Sequence, residues 1–158
     1  MRSSKGDNQM KKKILIVDDE AANLRALERL FRKDYNVLTA QSGVEALTLL
    51  QQHDVALLIS DQRMPAMTGI ELLQNTVPLR PHMVRILLTG YTDVSTLIEA
   101  INCGHVYRYV TKPWNNDELC VTVRRAVEHF DLRPSNPRNQ CAAHFDVLWR
   151  NSRENPLL

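Results

Sequence analysis

Short runs of apolar residues recur along the chain, and within each run the apolar positions are consecutive rather than alternating with polar ones. Runs of this kind, rich in Val, Ile and Leu, are typical of strands that are buried on both faces of a parallel sheet. Strong runs cover residues 14–17, 55–59 and 83–88, the last interrupted by Arg85, and weaker runs cover residues 37–38 and 106–110. The pattern therefore predicts five strands.

Between the runs, apolar residues recur at the spacing of an amphipathic helix, as Leu24, Leu27 and Phe31 do after the first run. An order of strand then helix, five times over, predicts a doubly wound α/β domain with right-handed crossovers. Residues that favour helix starts precede four of the helical stretches: Ser42, Thr68, Asp93, and Asn115 or Asn116.

The composition is that of a globular domain. Of the 158 residues, 44% are hydrophobic and 24% are charged, which argues against wholesale disorder. The regular pattern predicts a basic, polar leader over residues 1–12, one domain over 13–131, and a flexible or partly helical extension over 132–158.

Several locations and partners are disfavoured. No stretch approaches the ~20 apolar residues that a membrane span needs, and the polar start is unlike a secretion signal. The net charge is +2, but the central region carries no basic stripe, so we expect no direct binding to nucleic acid. The three cysteines match no zinc or redox spacing, and we expect reduced thiols in a cytoplasmic protein. The five histidines form no metal pair at helical spacing and are expected at the surface or in loops.

Polar and charged residues stand directly after most of the apolar runs. In an open parallel sheet, functional groups collect beyond the carboxyl ends of the strands, where the strand order reverses. Four runs therefore deliver a reactive or charged side chain to one edge of the sheet. These residues are Asp18, Asp19 and Glu20 after the first run, Ser60 and Asp61 at the third, Thr89 and Gly90 at the fourth, and Thr111, Lys112 and Pro113 at the fifth.

Such a cluster suits phosphoryl transfer assisted by a divalent cation. Carboxylates held close together repel one another. Mg²⁺ offsets this repulsion, because it prefers oxygen ligands and keeps positions for water and a phosphoryl oxygen. Lys112 adds a compact positive charge, and Thr89 offers a hydroxyl donor. A carboxylate nucleophile at this place would form an aspartyl phosphate.

At these residues the chain resembles the receiver domains of bacterial two-component response regulators. Within that family, the wording around residues 89–93, 98–102 and 107–114 is similar both to receivers of hydrogenase-type transcription activators and to receivers of HD-GYP cyclic-di-GMP phosphodiesterases. The resemblance implies a flavodoxin-like fold with a five-stranded parallel sheet in the order 2-1-3-4-5. The matching segments are residues 14–20 (ILIVDDE), 61–69 (DQRMPAMTG), 87–90 (LLTG) and 109–113 (YVTKP).

The resemblance also implies roles for individual residues. Asp61 would be the phosphoacceptor, and Lys112 would bind the phosphoryl group. Asp18 and Asp19 would be the acidic pair, with Asp19 the direct ligand of Mg²⁺, for which Mn²⁺ is an alternative ion. The backbone carbonyl of Arg63 would be the third ligand that the protein supplies to the metal.

A conformational switch is implied in the same way. Thr89 would turn toward the phosphoryl group and Tyr109 would swing inward, which would change the surface of the fourth helix, fifth strand and fifth helix, roughly residues 93–130. The domain could form a homodimer through this surface. The peptide bond before Pro113 would be cis.

Two side chains near the expected site are particular to this sequence. Arg63 stands two residues after Asp61, and Tyr91 stands two residues after Thr89. In the family, these positions flank the path of water to the phosphoryl group. We hypothesise that the bulky pair slows hydrolysis and prolongs the phosphorylated state.

The function implied is a signalling switch rather than an enzyme, with Mg²⁺-dependent self-phosphorylation and slow autodephosphorylation as its only reactions. A histidine kinase or phosphotransfer protein would supply the phosphoryl group, and no output domain is expected within this sequence. A phosphate-independent protein-binding module of the same fold is the alternative. A flavodoxin is disfavoured because Asp18, Asp19 and Glu20 would repel a flavin phosphate. For Tyr109, a purely structural role as a core aromatic also stays open.

Overall fold

The computed structural model describes residues 10–90, 94–103 and 105–133. Within them, the strands form one parallel sheet in the order β2-β1-β3-β4-β5, with connecting helices. The predicted fold class and strand order are therefore confirmed. The strands are β1 (Lys13–Val17), β2 (Asn36–Ala40), β3 (Leu57–Asp61), β4 (Val84–Thr89) and β5 (Arg108–Thr111). The helices are α1 (Ala21–Phe31), α2 (Gly43–Gln52), α3 (Gly69–Thr76), α4 (Val94–Asn102) and α5 (Asn116–Leu132).

Two hydrophobic clusters lie on opposite faces of the sheet, because successive side chains of a buried strand point to opposite sides. In β1, Leu15 packs in the cluster that contains Leu50 of α2 and Leu72 of α3. Ile14 packs in the other cluster, with Leu27 of α1 and Val123 of α5. Each fully buried Leu or Ile contributes about 1.5–3 kcal/mol, so both helical layers hold the sheet in place.

The predicted helix starts agree with the structure wherever it describes them. The side chain of Ser42 accepts a hydrogen bond from the first turn of α2, Thr68 does so for α3, and Asn115 does so for α5. These bonds satisfy backbone N–H groups that have no partner within the helix. Asp93, the expected start of α4, lies outside the described residues.

Arg85 interrupts an apolar run, yet its side chain is buried in β4. Its guanidinium donates to Thr76 Oγ1 at 2.8 Å, to the Met83 carbonyl at 2.7 Å and to the Arg80 carbonyl at 2.6 Å. Burial, with a smaller effect of Arg133, lowers the pKa of Arg85 to about 10. A buried charge thus ties the end of α3 to the start of β4.

His105 lies in the loop between α4 and β5, as expected of a histidine here, but it is buried rather than exposed, with 4% of its surface accessible. Burial, and then the nearby charge of Arg85, lower the pKa of His105. The sequence did not indicate which apolar residues surround this loop, so the burial of His105 was not predicted.

The described elements begin at Lys13 and end at Leu132. Residues 1–9 and 134–158 lie outside the described residues, so the leader and the extension stay predictions. None of the helices that the structure describes is long and apolar enough to cross a membrane.

Candidate functional site

The residues predicted from the strand ends meet at the carboxyl edge of the sheet. β1 pairs with β3 so that Val17 lies opposite Ser60, which places Asp18 beside Asp61. The other pairings, β3 with β4 and β4 with β5, bring Thr89 opposite Thr111. Parallel register at three neighbouring strand pairs therefore assembles the site from segments that are far apart in sequence.

Asp18, Asp19 and Asp61 form an acidic cluster in which one carboxylate oxygen of each lies within 4.8 Å of the others. Asp18 is fully buried and Asp61 nearly so, whereas Asp19 is exposed. Burial raises the pKa of the Asp18 carboxyl and the charge of Asp61 raises it further, against the opposing hydrogen bond from the backbone N–H of Glu20. The cluster therefore concentrates negative charge where little water screens it.

Lys112 brings a positive charge into this cluster from the loop after β5. Its Nζ lies 2.6 Å from Asp61 Oδ1 and 3.9 Å from Asp18 Oδ2. The loop is held to the sheet by a hydrogen bond of 2.9 Å from the Lys112 N–H to the Thr89 carbonyl. The peptide bond between Lys112 and Pro113 is cis, as the resemblance implied.

Asn23, in the first turn of α1, also contacts the cluster. Its Nδ2 donates to Asp18 Oδ2 at 3.1 Å and to Glu20 Oε2 at 3.3 Å. This contact was missed from sequence, because an Asn near a helix start is common and only its position relative to Asp18 could have hinted at it. Asn23 holds the buried carboxylate in one orientation.

A cleft of about 340 Å³ opens over the cluster. Asp19, Glu20, Asp61, Arg63 and Lys112 are among its lining residues. Acidic side chains and the ammonium of Lys112 thus line the same cleft.

The donor set fits a hard divalent cation such as Mg²⁺. The candidate ligand atoms of the three aspartates are all carboxylate oxygens, and they converge closely enough to share one ion. Among the residues that the structure describes, no other group of acidic side chains has this spacing. The arrangement of three carboxylates and Lys112 around a small open cleft would suit a divalent cation together with one phosphoryl group.

Comparison with known families decides the identity of this domain. Residues 14–124 match the response regulator receiver domain family. The chain belongs to this family. It is a receiver domain of the two-component response regulators, and the expectation from the sequence motifs is confirmed.

The amino-acid sequence of this receiver domain is similar to those of bacterial transcription regulators. It is 43% identical over 115 residues to the hydrogenase transcriptional regulatory protein HoxA of Cupriavidus necator, covering 73% of this chain and 24% of that protein. It is 38% identical to HoxA of Bradyrhizobium diazoefficiens, covering 76% of this chain and 25% of that protein. The chain thus spans about a quarter of the length of these relatives.

Solved structures give the same family. The signal receiver domain of an HD domain-containing protein from Pseudomonas fluorescens is 37% identical, with a TM-score of 0.74 over 78% of this chain and 99% of that chain. A receiver domain from Clostridium thermocellum is 31% identical, with a TM-score of 0.72 over 77% of this chain and 98% of that chain. The predicted similarity to receivers of hydrogenase-type transcription regulators is thus confirmed by the two HoxA proteins, whereas the similarity to HD-GYP phosphodiesterases stays a prediction.

The residues expected to switch are in defined positions in this receiver domain. Thr89 is buried, and its hydroxyl donates to the Gly90 carbonyl at 3.0 Å. Tyr109 is 45% exposed, which disfavours the alternative that it is only a core aromatic. Arg63 is exposed at the cleft, and Tyr91 lies outside the described residues.

Proposed function

We propose that this receiver domain accepts a phosphoryl group on Asp61 from a histidine kinase or phosphotransfer protein, with Mg²⁺ or Mn²⁺ as cofactor. The observation that carries the proposal is the Lys112 ammonium 2.6 Å from the Asp61 carboxylate, beside two further carboxylates. In a purely structural ion pair, the additional buried carboxylate of Asp18 would be a cost without a benefit.

The cation would be held by Asp18, Asp19, Asp61 and the backbone carbonyl of Arg63. When bound, it supplies positive charge that offsets the carboxylates and the incoming phosphoryl oxygens. An oxygen of Asp61 attacks phosphorus, forming a new P–O bond as the bond from phosphorus to the donor atom breaks. Lys112 moves its hydrogen bond from Asp61 to a phosphoryl oxygen, so the new negative charge is paired without further reorganisation.

The output step is a change in the surface formed by α4, β5 and α5. Thr89 would exchange its hydrogen bond to Gly90 for one to the phosphoryl group, and Tyr109 would move from its exposed position inward. A groove of about 610 Å³ follows this surface, with Tyr109, Trp114 and Leu119 among its lining residues. A second copy of the domain, or an output domain on another part of the protein, would bind there.

Phosphorylation can be tested directly with a small acyl phosphate. Incubation with Mg²⁺ should add one phosphoryl group, detected by intact mass, and the addition should vanish in Asp61→Asn. Asp54→Asn, which removes an exposed carboxylate away from the cleft, is the matched control and should still be labelled. Folded, Mg²⁺-binding protein that takes up no phosphoryl group would contradict the proposal and would favour the phosphate-independent binding module. Beyond self-phosphorylation and slow autodephosphorylation, we propose no enzymatic activity.

A further inference from the structure

Gln62, the residue that follows the proposed phosphoacceptor, is a buried amide with only 8% of its surface exposed. A buried amide costs free energy unless its polar atoms find partners. The Gln62 Oε1 accepts a hydrogen bond of 2.9 Å from the backbone N–H of Ile70 in α3. This polar side chain therefore has a specific contact across the loop that follows β3.

The backbone of Gln62 is fixed as well. Its N–H donates to the Leu88 carbonyl in β4 at 2.9 Å, and its carbonyl accepts from the Gly69 N–H at 2.9 Å. Gln62 thus binds two successive N–H groups of the first turn of α3, one through its backbone and one through its side chain. Both ends of the loop from 62 to 69 are held at this one residue.

The path of the loop leaves little freedom between these ends. Ala66 has a φ of 66°, in the left-handed region that residues other than glycine rarely adopt. The Met67 N–H donates to the Pro65 carbonyl at 2.7 Å, which closes a tight turn within the loop. A conformation of this kind persists only when surrounding contacts determine it. At the end of the loop next to Asp61, the buried contacts are those made by Gln62.

We propose that Gln62 is a positioning residue for the divalent cation. The Arg63 carbonyl, one of the ligands in the proposed function on which this inference rests, belongs to the peptide between Arg63 and Met64, one residue beyond Gln62. The hydrogen bonds that Gln62 accepts from Gly69 and Ile70 fix the backbone from which that peptide continues, and so favour one orientation of the carbonyl toward the ion. Partners that orient metal ligands strongly affect metal affinity, whereas a helix cap alone affects stability.

The test compares two variants that each remove one cap from α3. Gln62→Met keeps an unbranched side chain of similar length but replaces the amide oxygen by a thioether sulfur, which is only a weak acceptor for the Ile70 N–H. Thr68→Val removes the hydroxyl that accepts from Glu71, at the other end of the loop, and leaves Gln62 intact. Mg²⁺ affinity of the full chain is measured by calorimetry in the absence of any phosphoryl donor. Amide exchange at Ile70 reports whether the hydrogen bond has been lost.

Gln62→Met should weaken Mg²⁺ binding roughly tenfold, with faster amide exchange at Ile70, while Thr68→Val should bind Mg²⁺ like the wild type. At saturating Mg²⁺, labelling of Gln62→Met by acyl phosphate should return to the wild-type extent. If Gln62→Met does not fold, Gln62→Asn, which keeps the amide but shortens its reach, gives the same comparison.

Equal Mg²⁺ affinity in the Gln62 variant and the wild type would overturn this inference alone, and so would an equal loss in Thr68→Val. A wild-type protein that binds no Mg²⁺ would overturn the inference together with the cation in the proposed function.

Discussion

At the scale of single residues, the two buried carboxylates of the cluster differ in what compensates them. Asp61 has the Lys112 ammonium in direct contact, whereas Asp18 is 3.9 Å from it and relies on N–H donors from Glu20 and Asn23. Charged partners lower the cost of burial more than neutral donors do. Asp61 is therefore the carboxylate whose paired cation can be transferred to a bound anion, as the proposed chemistry requires.

Arg63 offers the first prediction at this scale. Its exposed side chain lines the cleft above Asp61, where it would restrict the approach of water to a phosphoryl group. Arg63→Ala should shorten the lifetime of phosphorylated Asp61, and a barrier lower by about 1 kcal/mol would do so roughly fivefold. The lifetime is measured by intact mass after removal of the donor. An unchanged lifetime in Arg63→Ala combined with Tyr91→Ala would rule out the hypothesis that this pair slows hydrolysis.

His105 gives a second prediction, on pH. Because burial and Arg85 lower its pKa in the folded protein below the ordinary value of 6.5, the unfolded chain takes up the proton first as the pH falls. The free energy of unfolding should therefore decrease below pH ~6.5, by at most about 1.4 kcal/mol per pH unit, until the folded protein is protonated too. Urea unfolding of the wild type and of His105→Gln checks this. The variant should lose that part of the slope, and identical slopes would contradict the assignment to His105.

Tertiary neighbours explain why some of these residues could not be predicted. Asp18, Asp61 and Lys112 were predicted because each follows an apolar run and so marks a strand end. The burial of the Gln62 amide and of the His105 imidazole is not indicated by any such pattern, because it depends on helices that are formed by other parts of the sequence.

At the scale of elements, the start of α3 lies directly against the end of β3. A Cβ added at Gly69 would collide with the carbonyl oxygen of Asp61 and lie 2.7 Å from Leu87 Cδ1. Only a residue without a side chain lets the helix begin this close to the strand. The close approach is what allows the loop between them to close at Gln62.

Gly69→Ala should therefore destabilise the domain by about 1–3 kcal/mol, the usual cost of overpacking, although alanine normally favours a helix over glycine. Gly90→Ala is the matched control, because a Cβ there would meet no atom within 4 Å. Its stability should stay within about 0.5 kcal/mol of the wild type. Thermal and urea unfolding measure both variants, and equal stabilities would show that α3 can shift to make room.

The strands show how far an apolar pattern determines an element. β1, β3 and β4 are buried almost throughout and arise from the strong runs, whereas the edge strands β2 and β5 are partly exposed and arise from the weak ones. The apolar run at 106–110 begins two residues before β5. Its first residue, Val106, lies in the loop that leads into the strand and is apolar because it is buried there. Burial and strand pairing thus coincide in the centre of the sheet and separate at its edges.

At the scale of the whole molecule, binding of Mg²⁺ should stabilise the fold, because the acidic cluster proposed to hold the ion is assembled only in the folded chain. At a hundred times the dissociation constant the gain should be about 2.7 kcal/mol. Asp19→Asn should raise stability without metal, by relieving repulsion, and should reduce the gain from Mg²⁺. Thermal melting with Mg²⁺, and with NaCl of equal ionic strength, measures both effects. A rise in melting temperature that is the same in Asp19→Asn as in Asp54→Asn would place the ion elsewhere.

The order of strands could not be predicted from the apolar pattern, which identifies strands but not their neighbours. It followed from the family resemblance at the motifs, and the structure bears it out. The orientation of the two helical layers then follows, because right-handed crossovers on either side of β1 place α1 and α5 on one face and the other helices on the opposite face.

That strand order has a consequence for how the protein is made. The acidic groups lie at the ends of β1 and β3, which precede β4 and β5 along the chain, whereas Lys112 follows β5, at the edge of the sheet. A growing chain therefore contains all three aspartates before it contains the lysine that pairs with Asp18 and Asp61. Because the Lys112 ammonium offsets the repulsion among these carboxylates, we expect charge to contribute, beside apolar contact, to the addition of β5 to the sheet.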